Sequence, residues 1–143
     1  MTYVKEASRR YEYFDHDADI GVVGRGATVE QAFESAAEAM FAIMANPASL
    51  VDSAEVPVSF AEDDLDLALV QWLNALLGAA RESGLVFRRF ALSRNGSRWD
   101  GRAWGERWRG ETERGVEVKG ATLTMLSVKP GATGWEARCV VDV

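Results

Sequence analysis

Apolar residues recur at helical spacing in only two stretches of this 143-residue chain, and alternate with polar ones through much of the rest. That change of period limits the fold more than any other feature. In the first stretch Val29, Ala32, Phe33, Ala36, Ala37, Met40, Phe41 and Met44 follow one another at three- and four-residue steps. Thr28-Val29-Glu30-Gln31 opens it as a capping box: the threonine oxygen accepts the N–H three residues on, and Gln31 reaches back. Asn46-Pro47 closes it, because the residue before proline avoids helical backbone angles. The second stretch begins near Asp63 or Asp64, acids suited to the positive end of a helix dipole. Leu65, Leu69, Trp72, Leu73, Leu76, Leu77 and Ala80 form its apolar face, and Ser83-Gly84 ends it. Period-two patterning predicts strands over 55–60, 85–92, 97–104, 117–129 and 135–143, with shorter ones over 11–14 and 20–23 flanking a polar turn. Arg94-Asn95-Gly96 is a hairpin signal, and Pro130-Gly131 and Thr133-Gly134 mark a further turn. With no linker or internal repeat, residues 1–143 read as one domain. The expected fold is α+β: two amphipathic helices packed on a mainly antiparallel sheet in a sandwich.

Several function classes drop out. The longest unbroken apolar run spans residues 39–45, far short of the roughly 20 a membrane helix needs. Residues 1–13 are charged and aromatic and lack the apolar core of a secretory leader, which predicts a cytoplasmic protein. A single cysteine, Cys139, excludes an intramolecular disulfide and a cysteine-based zinc site, and a single histidine, His16, excludes two-histidine metal motifs. With 16 basic against 22 acidic residues the formal net charge is −6, unsuited to coating nucleic acid. Residues 88–114 run the other way, with eight arginines against four acids, a local +4. A protein partner of mixed charge fits this distribution better than a duplex does.

The densest group of ionisable residues is Asp15-His16-Asp17-Ala18-Asp19. In extended backbone the three aspartates would share one face, roughly 6.7 Å apart. Neighbouring carboxylates at that distance repel by about 2.5 kcal/mol at an effective dielectric near 20. Either a hard cation or a solvated turn relieves the repulsion, and oxygen donors suit Ca²⁺, Mg²⁺ or Mn²⁺ better than zinc. At the other end, Asp142 and the terminal Val143 follow the apolar Cys139-Val140-Val141. Bringing that end against residues 15–19 would gather carboxyl oxygens from both ends of the chain; a frayed, exposed end is the alternative. Weaker candidates are His16 as a carboxylate-held base or a structural histidine, and Gly21 to Gly26 as a phosphate loop or a plain turn. Trp99, Trp104 and Trp108, interleaved with arginines, could stack bases or simply pack. Cys139 reads as a small buried hydrophobe, and Lys119 as a lone cation that pairs with the acids or marks a strand end.

The stretch Tyr13-Phe14-Asp15-His16-Asp17-Ala18-Asp19-Ile20-Gly21 resembles the opening signature of the archease family, usually His-Thr-Ala-Asp-Ile-Gly. The resemblance continues through residues 28–44, through Asp63-Asp64-Leu65 to the Trp72-Leu73-Asn74 core and Leu77, and through Gly84-Leu85-Val86-Phe87. It then takes in Val118-Lys119-Gly120-Ala121-Thr122 and the closing strand with Asp142-Val143. It implies a small α+β activator, not itself a catalyst, of RtcB-type RNA ligases in tRNA splicing and RNA repair. The family's activity is to promote GTP-dependent guanylylation of the ligase and its multiple turnover. By the same resemblance Asp19, Asp142 and Val143 match a divalent-metal site (Ca²⁺, Mg²⁺ or Mn²⁺), and Lys119 matches the family's functional lysine. GTP belongs to the ligase, RNA is met only through it, and neither membrane nor DNA is a partner. The chain departs from the pattern at Asp17 for threonine, at Gly120 for alanine and at Leu123-Thr124 for Tyr-His. The rival expectations are a metal-dependent phosphoester hydrolase using Asp15, Asp17 and Asp19 with His16 as base, and a chaperone-like or RNA-binding module using residues 88–114.

Overall fold

In a computed structural model the described residues are 10–109 and 114–143. Most of the N-terminal stretch read for a leader, and Glu111 and Glu113 of the arginine-rich segment, lie outside them. The elements in order are β1 (Tyr11–His16), β2 (Asp19–Gly26), α1 (Val29–Met44), a 3-10 turn (Pro47–Ser49), β3 (Ala54–Ala61), α2 (Leu65–Ser83), β4 (Leu85–Asn95), β5 (Arg98–Arg107), β6 (Gly120–Ala121), β7 (Ser127–Pro130) and β8 (Trp135–Asp142). One sheet runs β1-β2-β8-β6 with β7 also on β8, and the second runs β3-β5-β4; every pairing is antiparallel. This is the expected α+β architecture. None of the described helices is long and apolar enough to cross a membrane.

The helix signals act at the residues that carry them. Thr28 Oγ1 accepts the Gln31 N–H at 3.1 Å, while Gln31 Oε1 reaches one residue past the cap to the Ala27 N–H at 2.9 Å. Asp64 caps α2 by accepting the Leu67 N–H at 3.0 Å, and Gly84 ends the helix in the left-handed region at φ 71°. Both helices touch strands of both sheets. The single apolar stripe read for α1 is therefore too narrow: Ser35, Ala39 and Ala42 are buried as well, because sheet lies on two sides. Gly24 on β2 lets α1 settle directly onto the strand, its α-carbon facing the backbone of Ala32 and Ala36. Trp72, Trp99, Phe33 and Phe87 fill the space between the layers, with Phe33 and Phe60 stacked on Trp99 at 5.1 and 5.7 Å.

One expected strand is broken. Residues 117–129 pair with β8 only as the short β6 and β7. Between them Thr122 turns both its N–H and its hydroxyl to the Val140 carbonyl, Val140 donates to the Thr124 carbonyl, and Met125 takes φ 55°. The chain bulges off the sheet edge there, an interruption that alternation cannot register.

Candidate functional site

The first acidic cluster sits on a hairpin. His16 pairs with Asp19, so Asp17 and Ala18 form the two-residue turn, and Asp17 adopts φ 53° with its side chain 92% exposed. The expectation that Asp15, Asp17 and Asp19 share a face fails for this reason: the chain reverses between them. Directly opposed residues of an antiparallel pair share a face, which groups Asp15 with Ile20 on one side and His16 with Asp19 on the other. A hydrolase built on the three aspartates loses its geometry.

Asp19 meets the other end of the chain instead. The β2–β8 ladder includes Ile20 opposite Val141, so one further step sets Asp19 opposite Asp142. The Val143 N–H donates to Asp19 Oδ1 at 3.3 Å across a separation of 124 residues. On the far side of β8, Gly120 pairs with Asp142, and the Lys119 N–H donates to the Asp142 carbonyl at 2.7 Å. Asp19, Lys119, Asp142 and Val143 thus lie at one end of the five-stranded sheet, on strands β2 and β8 and the residue leading into β6. Asp19 and Val143 are half-buried, and Asp142 and Lys119 are exposed.

The donor set is all oxygen. Among the described residues no three His, Cys, Asp or Glu side chains gather as a metal-holding group. Two carboxylates and the Val143 backbone oxygens supply part of the six- to eight-oxygen shell of a hard cation and leave the remainder to water or to a partner's oxygens. The chemistry fits Ca²⁺, Mg²⁺ or Mn²⁺ in an outward-facing site and does not fit zinc.

Two side chains of α2 support the Lys119 segment. Asn74 accepts the Ala121 N–H at 2.9 Å and donates to its carbonyl at 3.2 Å. Arg81 Nη2 donates to the carbonyls of Val118 at 3.0 Å and Lys119 at 2.8 Å. Neither residue was singled out for this in the sequence. The available signal was two polar residues seven apart on a helix otherwise read by its apolar face.

The remaining candidates have ordinary roles. Gly21 to Gly26 lie inside β2 rather than in a loop; the Phe14 ring covers Gly21, and α1 covers Gly24. Cys139 is buried, and burial pushes its thiol up to about 12. Trp99 is buried, whereas Trp104 lies on the open face of the β3-β5-β4 sheet under the Arg89 guanidinium, 3.8 Å from the ring centre. Among the described residues four acids pair with five arginines of the 88–114 stretch. Asp52 takes both Arg88 and Arg89, Glu55 takes Arg102, Asp100 takes Arg98, and buried Glu106 takes Arg109 at 2.7 Å. The guanidiniums hold the Asp52 and Asp100 carboxyls below the usual range. On α1, burial raises Glu34 and Glu38, offset in part by the Leu92 N–H for Glu34 and by Arg10 for Glu38. A cavity of about 250 Å³ between Phe41, Leu77, Leu85 and Trp108 is lined mainly by apolar side chains.

Comparison with known proteins follows the same outline. The profile of the archease protein family matches residues 11–143. The protein named archease from Sulfolobus acidocaldarius is 34% identical, over 94% of this chain and 99% of its own. That from Pyrococcus furiosus is 32% identical over the same shares. The solution structure of Methanobacterium thermoautotrophicum protein 1598 superposes with a TM-score of 0.84 at 29% identity, covering 93% of this chain and 98% of that one. A crystal structure from Thermotoga maritima, described as an archease and possible chaperone, shares the fold with a TM-score of 0.62 at 19% identity, covering 91% and 94% of the two chains.

Proposed function

Because this chain belongs to the archease protein family, we propose that it is a protein cofactor of an RtcB-type RNA ligase, promoting guanylylation of the ligase from GTP and so its repeated turnover. The observation that carries this reading is the meeting of Asp19, Lys119, Asp142 and Val143 at one exposed sheet end. An outward-facing set of oxygens beside a lone lysine suits action on a phosphate-bearing centre held by another protein. A divalent cation bound there would neutralise phosphate charge. Asp19 and Asp142 would hold it with the Val143 backbone, leaving positions for oxygens from outside. Lys119 would place its ammonium, a compact point charge, against a phosphate or carboxylate of the partner. The one cysteine thiol, Cys139, is buried and pushed up to about 12, which takes it out of consideration as a nucleophile. The description of the Thermotoga maritima protein as a possible chaperone also suits a role exerted on another protein.

The test mixes the protein with an RtcB-type ligase, GTP and Mn²⁺ and follows ligase–GMP formation and RNA joining at substoichiometric ligase. Stimulation by the parent, its loss in Asp19→Ala and Asp142→Ala and its partial loss in Lys119→Ala are expected. Full stimulation by either aspartate variant would remove the site assignment, and phosphoester turnover without ligase would favour the hydrolase.

A further inference from the structure

We propose that Asn74 and Arg81 of α2 are positioning residues that fix Lys119 relative to Asp142, the proposal resting on the role given to Lys119 above. Among the described residues short β6 has a strand partner on one side only: β8, through Gly120 and Ala121. On its other side the hydrogen-bonding groups of an edge strand need partners, and side chains of α2 supply them. The Asn74 amide both accepts from and donates to Ala121, as a neighbouring strand would, at 2.9 and 3.2 Å. Arg81 holds two successive carbonyls, of Val118 and Lys119, with one nitrogen.

The spacing of the two residues matches the task. Seven residues of helix span roughly 10.5 Å at 1.5 Å each, and the three residue steps from Val118 into β6 at Ala121 span about 10 Å at an extended rise. Helix and strand run in opposite directions, so the earlier residue, Asn74, meets the later strand residue, Ala121. One helix face therefore grips both ends of the segment that carries Lys119. Gly120 lies between the two grips. A glycine there leaves the backbone under Lys119 freer than an alanine would, and the side-chain bonds to residues 118, 119 and 121 restrict it. The Lys119 N–H to the Asp142 carbonyl, 2.7 Å, completes the attachment on the β8 side. The lysine's side chain is exposed while its root is held on both sides, an arrangement that aims a long flexible cation without burying it.

The experiment titrates parent, Asn74→Ala, Arg81→Ala and Arg81→Lys against an RtcB-type ligase with GTP and Mn²⁺, each also in a Lys119→Ala background. For the alanine variants the maximal rate of ligase–GMP formation should fall roughly 10- to 100-fold. The activator concentration giving half that rate should stay unchanged, because docking is intact. Arg81→Lys, which keeps one donor, should recover part of the loss. In the Lys119→Ala background the same substitutions should cause no further loss, and amide hydrogen exchange at Lys119 and Ala121 should accelerate in Asn74→Ala. Should Asn74→Ala fail to fold, Asn74→Asp keeps the acceptor for Ala121 and removes the donor, with the same kinetic expectation. Variants that stimulate as the parent does would overturn the proposal, as would a loss of equal size with and without Lys119, the mark of a merely structural role. A parent that does not stimulate the ligase would defeat the functional reading itself, and the positioning role with it.

Discussion

One added methyl group has opposite consequences at two glycines of the central sheet. At Gly24 a Cβ would run into the Ala32 carbonyl and the Ala36 backbone. Backbone cannot swing aside, so α1 would have to lift from β2. Gly24→Ala should cost about 3 kcal/mol, as overpacking against a fixed wall does, and lower the melting temperature by roughly 10 °C. At Gly120 a Cβ meets only Asn74 Oδ1, at 3.5 Å, an ordinary contact, and the residue is outside the left-handed region. There alanine restricts the unfolded chain without straining the folded one. Gly120→Ala should stabilise by about 0.5 kcal/mol. Differential scanning calorimetry of the two variants should move the midpoint in opposite directions, and a matching loss at both positions would contradict this packing.

Whole elements respond to acid with opposite signs. On α1, burial raises Glu34 and Glu38 above the ordinary carboxylate range. Their contribution to stability is complete below the unfolded value, near 4.3, and is lost as pH rises through the raised folded values. On the open sheet, Arg89 and Arg88 lower Asp52. Its contribution is present above the unfolded value and is lost as pH falls through the lowered one. Glu34→Gln keeps an acceptor for the Leu92 N–H and removes the charge. Urea midpoints of this variant should therefore rise less than the parent's as pH falls from 7 towards the unfolded carboxylate value near 4.3, whereas Asp52→Asn should change the slope only below about pH 4. The same scale shows what was legible in advance. Both helices, their caps and the β4–β5 hairpin carry local signals, namely Thr28 with Gln31, Asp64, Gly84 and Gly96, and these are the features that the sequence located. The burial of α1 on two sides and the bulge after Ala121 depend on neighbours distant in sequence, and no local period encodes them.

For the molecule as a whole the decisive contact is between its beginning and its end. Asp19 and Asp142 are each visible as acids beside an apolar run, and an extended chain through residues 15–19 is an equally natural reading. Local pattern does not choose among Asp15, Asp17 and Asp19; the family resemblance points to Asp19, and the placing of β8 between β2 and β6 sets that residue opposite Asp142. The same assembly lowers the charge of the arginine-rich stretch: Asp52 and Glu55, outside it, pair with Arg88, Arg89 and Arg102 within it. Because the proposed cation site exists only when β2 and β8 pair, a cation held there would bind the folded chain and not the unfolded one, and so would stabilise the entire fold. At a free concentration a hundred times the dissociation constant the gain is about 2.7 kcal/mol, an upward shift in melting temperature of roughly 5–10 °C for a chain of this length. Thermal melts with Mn²⁺, Ca²⁺ or Mg²⁺ should show that shift in the parent and in Lys119→Ala, whose ammonium is not a ligand. Asp19→Ala and Asp142→Ala should each abolish it. A shift that survives in both aspartate variants would mean that the cation binds elsewhere and that the carboxylates at the sheet end serve only to close the fold.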